Sequence, residues 1–214
     1  SKADPEIQRQ FVVAYNQLCN QLGPDDRIYF GDAAYFRHNA ETTYSWSEVG
    51  NPHVIPTNSG RSHHNVIGVY CIQTGESFFI QTPDNINSVV VIELLKGLQE
   101  NHPASAKIYV ILDNARSHHA KNVSLYCASS NIILVFLPTY SPNLNVIERL
   151  WKFLRKKVFK DHYYATLDQF VSAIKDFLAH LERYKDELAT LMTDNFEIIP
   201  SVWVNSVPVA NSQI

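Results

Sequence analysis

The apolar positions of the chain fall into runs with helical spacing and runs with strand spacing, in a readable order. Over residues 5–22, Ile7, Phe11, Val12, Tyr15, Leu18 and Leu22 recur at helical spacing, and Gly23-Pro24 ends the run. A strand is expected over residues 27–32, ending at Asp32, and another around Thr43-Tyr44-Ser45-Trp46. Residues 50–60 hold two prolines and many polar side chains and read as a loop. Strands over 65–72 and 77–81 are joined by a turn at Thr74-Gly75, and a helix follows over 87–99. Beyond the breaker Asn101-His102-Pro103, residues 107–112 form a short continuous apolar run, as in a strand covered on both faces, and Asp113 follows. A helix over 119–129, a buried strand over 131–137, a loop over 138–142, a helix reaching about residue 160 and a last helical region over 167–192 complete the pattern. The tail 200–214 has no clear periodicity.

Strands first, then helices alternating with strands, predict an α/β fold: a ribonuclease-H-like mixed sheet flanked by helices. Expected boundaries are a helical lead-in or linker over 1–26, one catalytic-sized domain over 27–195 and a tail over 196–214. With 214 residues, 45% of them hydrophobic, the chain is long enough for one well-buried core. Its longest apolar run, Ile132-Ile133-Leu134-Val135-Phe136-Leu137, suits a strand and is far too short for a membrane span, so no membrane partner is expected. Three scattered cysteines, Cys19, Cys71 and Cys127, make neither a disulfide framework nor a zinc ribbon, and a cytoplasmic location fits. The adjacent pairs His63-His64 and His118-His119 point their rings in different directions on strand or helix, which disfavours zinc.

The net charge of −3 argues mildly against a nucleic-acid partner until its distribution is considered. Residues 149–160 carry six basic side chains and no acidic one, so a single helix offers a strongly positive stretch to a phosphate backbone. Arg149, Lys152, Arg155 and Lys156 are the candidate DNA contacts, although a solvated helix face accounts for each almost as well.

Three carboxylates carry the candidate chemistry. Asp32 and Asp113 each end an apolar strand, with the similar lead-ins Arg27-Ile28-Tyr29 and Lys107-Ile108-Tyr109. Ligands bind at the carboxyl ends of strands in open α/β sheets. Two aspartates there would repel one another unless a cation lay between them, although either alone reads most simply as a turn or cap residue. Ile147, Trp151, Leu154 and Val158 form an apolar helical stripe, and Glu148 falls at its border with the basic face. The competing reading of Glu148 is a capping box, with Asn145 as N-cap and Glu148 three residues on. Asn114 and His118 are candidates to orient Asp113 or touch DNA, or else a capping Asn and a packed His. Neither a GxSxG elbow nor a phosphate-binding glycine loop is present.

The segment Leu137-Pro138-Thr139-Tyr140-Ser141-Pro142-Asn143-Leu144-Asn145-Val146-Ile147-Glu148-Arg149-Leu150-Trp151 resembles the signature around the third acidic residue of mariner-related bacterial insertion-sequence DDE transposases. Asp113-Asn114-Ala115 with His118 resembles the motif at their second aspartate, and 34 residues separate Asp113 from Glu148, the family's spacing. Trp46 with Gly50, and Gly60-Arg61 leading into Asn65-Val66-Ile67-Gly68, also resemble the family pattern. Thr139 and Val146 depart from it where proline is common, as does Asn143 where an acidic residue is common. The resemblance implies a transposase catalytic domain that cleaves phosphodiesters at transposon ends and transfers strands into target DNA, commonly at TA. It further implies two Mg2+ ions, replaceable by Mn2+, with Asp32 bridging both and Asp113 and Glu148 each completing one site. A homo-oligomer on DNA is expected, and an upstream end-recognition domain lying outside this chain. The alternatives are a metal-dependent nuclease of the same fold and a catalytically idle DNA-binding protein derived from a transposase.

Overall fold

Five strands form one mixed sheet in the order β3-β2-β1-β4-β5, in a computed structural model that describes residues 3–38 and 62–199. The strands are β1 (Arg27–Arg37), β2 (His63–Tyr70), β3 (Ser77–Thr82), β4 (Ile108–Leu112) and β5 (Ile132–Phe136). β1 is antiparallel to β2, and β2 to β3, whereas β1, β4 and β5 run parallel. The parallel crossovers are made by α2 (Ser88–Glu100) and α3 (Lys121–Ala128). The remaining helices are α1 (Pro5–Gln21), α4 (Ile147–Leu154), α5 (Leu167–Ala179) and α6 (Lys185–Leu191). This is the mixed sheet flanked by helices that the periodicity predicts. The strand expected at 43–46, the loop at 50–60, the motif residues Trp46, Gly50, Gly60 and Arg61, and the tail 200–214 lie outside the described residues.

β1 does not end at Asp32; it runs five residues further, to Arg37, still paired with β2. Alternation along this long strand sorts its side chains onto two faces. Ile28, Phe30, Ala34 and Phe36 pack into one core with α1, α4 and α5, where Trp151, Phe153, Phe170 and Ile174 meet them. Tyr29 joins Ile67, Val69, Ile108, Val110 and Leu112 in a second core beneath α2 and α3, closed by Val91, Leu94, Leu95, Leu98 and Val123. Asp32 belongs by parity to the first row, as its one acidic member.

Gly68 lies directly across from Asp32. A Cβ there would stand 2.2 Å from the Phe79 ring and 3.2 Å from Trp151, so the bare backbone is what lets α4 settle close to the sheet. The β2–β3 turn uses Gly75 at φ +75°, a left-handed conformation that glycine adopts without steric cost.

Other sequence expectations change in detail. The last helical region is interrupted between α5 and α6 by a 3-10 turn at Leu181–Tyr184. The helix expected up to residue 160 is α4 continued by a π turn over Arg155–Phe159, in which the Lys160 N–H donates to the Arg155 carbonyl. The helical lead-in is α1, whose Tyr15 is buried against Phe30 and meets Phe196 edge-to-face. Phe196 and Ile198 pack on the same core, so the sheet, α1 and this segment form one packed unit. Among the described residues no helix is long and apolar enough to cross a membrane.

Candidate active site

Phe30 on β1 pairs with Ile111 on β4. Two residues further along each parallel strand stand Asp32 and Asp113, so continuing the register sets them level. Asp113 follows Tyr109 and Ile111 by strand parity, on the face that carries Asp32. The two similar lead-ins are offset by one residue, Ile28 pairing with Tyr109 rather than Ile108, and that offset is what aligns the aspartates.

Glu148 reaches the same place from α4, which packs across β1. The competing arrangement, a capping box, does not form. The N-cap position falls on Val146, no side chain caps the helix, and the Asn145 amide is used elsewhere. Asn145 is buried, and its Nδ2 donates to the Gly31 carbonyl at 3.2 Å, one residue before Asp32. This bond pins the start of the helix bearing Glu148 to the strand bearing Asp32, and frees the Glu148 carboxylate from capping. Asp32, Asp113 and Glu148 therefore line one cleft of about 420 Å³, floored by Asn114, Ala115 and Asn145 and rimmed by residues 137–142.

Electrostatics follow from this convergence. Asp32 is pushed up to about 7, first by burial and then by the negative charge of Glu148, with Asp113 adding to the effect and the Ala33 N–H opposing it. Asp113 moves the opposite way, held below the ordinary carboxylate value chiefly by its hydrogen bond from His118. The His118 ring is 2% exposed and its Nδ1 lies 2.9 Å from Asp113 Oδ1 and 3.1 Å from the Asp113 carbonyl. Burial opposes its charge, yet the hydrogen bonds and charge of Asp113 prevail and raise it above the ordinary histidine value. Asn114 Nδ2 donates to the Leu137 carbonyl at 2.7 Å, and its Oδ1 lies 3.2 Å from His119 Nε2. The Asp113 loop is thereby fastened to the end of β5. Both supporting residues thus act on the loop that presents Asp113. Among the described residues no three His, Cys, Asp or Glu side chains are drawn together tightly enough to hold a metal ion as they stand. Like charges sharing a cleft repel, and closing them requires positive charge between them.

The basic stretch divides. Lys152 and Lys156 are exposed, as a contact with a phosphate backbone requires. Arg155 is half-buried with its guanidinium 5.2 Å from the Phe36 ring centroid. Arg149 departs from the expectation of a phosphate contact. Its guanidinium donates to the carbonyls of Leu191, Thr193 and Asn195 at 2.7–3.2 Å, closing the end of α6. Two residues that line the cleft were not placed there by the sequence reading: Asn145, read as a cap, and Tyr140, exposed on the rim with φ +57°. Tyr140 lies between two prolines, a local signal that could have singled it out.

Three acidic side chains thus gather where β1, β4 and α4 meet on a mixed, ribonuclease-H-like sheet. A family model described as DDE superfamily endonuclease matches residues 27–171, and the chain belongs to that family. It is 20% identical over 176 residues to the insertion element IS630 uncharacterized 39 kDa protein of Shigella sonnei, covering 82% of this chain and 51% of that relative. The chain thus spans about half the length of this curated relative. Among solved structures, it resembles a pre-cleavage Mos1 transpososome with TM-score 0.62 and 13% identity over 90% of this chain and 65% of that one. Mos1 paired-end complexes solved with Mn and with Mg give TM-scores of 0.58 and 0.59, each at 15% identity. They cover 90% and 92% of this chain, and 55% and 58% of theirs. At these identities the likeness is one of fold.

Proposed function

We propose that this chain is the catalytic domain of a DNA transposase, in which Asp32, Asp113 and Glu148 hold the divalent cations used to cleave element ends and join them to target DNA. The observation that carries the reading is the shared cleft, where burial and neighbouring carboxylates raise Asp32 to about 7. Such a site holds more negative charge than its surroundings stabilise, and a hard cation is the partner that relieves it. The donor set fits, because carboxylate oxygens suit Mg2+ or Mn2+ and no thiol is among them.

When bound, two such ions supply Lewis-acid activation of the attacking oxygen and neutralise charge on the phosphate and the leaving oxygen. The chain's own part is positioning. His118 and Asn114 hold the Asp113 loop, and Asn145 sets the separation of α4 from β1. Lys152, Lys156 and Arg155 meet the DNA backbone alongside the cleft. Target joining at TA, assembly as a homo-oligomer on DNA, and end recognition by a region outside this chain belong to the same proposal. The resemblance of the fold to Mos1 complexes supports it.

The test uses the full-length protein with labelled duplexes carrying the element's ends and a supercoiled target, in Mg2+ or Mn2+. Expected are metal-dependent nicks at the ends and products joined to the target. Nicks without joined products would reduce the activity to that of a nuclease. Neither product, in either metal, would overturn the reading.

A further inference from the structure

Tyr140 occupies a backbone conformation that an aromatic residue rarely adopts. Its φ is +57°, where Cβ crowds the following carbonyl and glycine or asparagine normally stands. Single exposed tyrosines are common and by themselves mean little. A bulky side chain kept in a left-handed conformation is different, since such strain persists only where the surrounding structure imposes it, and it clusters at ligand clamps.

The surroundings here do impose it. On one side of Tyr140, Leu137 is buried, its N–H donating to the Leu112 carbonyl at 2.9 Å and its own carbonyl receiving Asn114 Nδ2. On the other, Ser141 is buried, its hydroxyl donating to the Thr139 carbonyl at 3.3 Å. Pro138 and Pro142 restrict the backbone on either side. Between these anchors Tyr140 stands 61% exposed as a residue, on the wall of the cleft lined by Asp32, Asp113 and Glu148.

We propose that Tyr140 is a stacking platform for an unpaired nucleobase next to the phosphate held at the three carboxylates. This rests on the functional reading above and adds a demand on the substrate. A base inside a duplex has both faces covered by its neighbours, so only a terminal or extruded nucleotide offers a face to the ring. Base–aromatic stacking tolerates any base, because every base has a π face. Tyr140 thus favours a DNA conformation rather than a sequence, and it holds the nucleotide whose phosphate is attacked.

The test measures binding of the full-length protein to element-end DNA, with Ca2+ replacing Mg2+ to slow the chemistry. The DNA carries either 2-aminopurine or an abasic site beside the scissile phosphate. Tyr140→Phe keeps the ring and should bind within about twofold of wild type, quenching 2-aminopurine equally. Tyr140→Leu keeps an apolar side chain without a π face, and Tyr140→Gly relieves the backbone strain. Both should weaken binding about 10-fold and lose the quench. The abasic site should cost wild type the same factor and the Leu variant nothing more. Wild-type binding by the Leu variant, or losses from variant and abasic site that multiply, would overturn the proposal. If the wild type cleaves and binds normally in those cases, Tyr140 alone is dismissed. If the wild type neither binds nor cuts element ends, the functional reading has failed and this proposal falls with it.

Discussion

The two faces of the sheet share their strands and differ in what they do with alternate residues. Beneath α2 and α3, Ile67, Val69, Ile108, Val110 and Leu112 pack among apolar side chains, and the Glu76 carboxylate only meets the Tyr29 hydroxyl from its partly exposed position. On the α4 side of the same β1, the row Ile28, Phe30, Ala34 and Phe36 is broken by Asp32, opposite Gly68 and beside Glu148. The dry face offers nothing except burial, whereas the other gives up part of its burial to place negative charge where it is poorly solvated. One strand thus supplies both the stability and the strained electrostatics that stability must support.

The largest separation of the two faces should come from Glu148→Gln. The change preserves size and helix propensity, and no cap is lost, because Glu148 does not form one. Cleavage should fall by about 1,000-fold or more, roughly 4 kcal/mol of barrier, with the thermal melt within a degree or two of wild type. A stable variant that still cuts would remove Glu148 from the site.

Leu95→Ala on the dry face should do the reverse. Leu95 is fully buried, and the change should cost about 2–5 kcal/mol of stability, read by denaturant titration, while cleavage per folded molecule stays near wild type. Lost activity in protein shown to be folded would mean that the faces are not separable.

Asp32→Asn should join a loss with a gain. The folded Asp32 carboxyl keeps its proton up to about pH 7, whereas the unfolded one releases it near pH 4 (about 3.9). The folded state binds more protons between these values, so the wild type loses stability as pH rises through that window. The Asn variant escapes this loss. In chelator at pH 8 it should be more stable by roughly 1–3 kcal/mol, about 2–10 °C in melting temperature, with the difference vanishing below pH 4 while cleavage is abolished throughout. An Asn variant less stable than wild type at pH 8 would show that Asp32 is satisfied without a cation.

The smallest effect concerns the exposed rim. Reversing charge at Lys152 and Lys156 together should leave the melt unchanged and lower the salt slope of DNA binding by about 2. An unchanged slope would confine the functional face to the cleft.

Much of this arrangement is legible in the sequence for physical reasons. Asp113 and Glu148 sit in dense local motifs, and strand or helix period around them is strong. Asp32 is harder, because a charge in the middle of a strand looks like the end of one, and only pairing with β2 as far as Arg37 shows that the strand continues. Arg149 is hardest: its acceptors lie 42 to 46 residues away, on an element whose position no local pattern reveals. The π turn at Arg155–Phe159 likewise defeats a wheel drawn at a constant angle, so the spacing of the basic residues read from sequence does not carry beyond Leu154.

Gln8 shows what closure of the unit means in time. Its side-chain carbonyl, fully buried near the beginning of α1, receives Asn143 Nδ2 at 3.1 Å and the backbone N–H of Ile199, 191 residues further along the chain, at 3.2 Å. The ribosome releases α1 long before either donor exists. Until residues 143 and 199 have emerged, the buried Gln8 amide lacks both of these donors, so α1 cannot complete its docking however early its apolar side chains find the sheet. Its docking should accordingly be among the last events of folding, and amide exchange in α1 should become protected only after the sheet is complete.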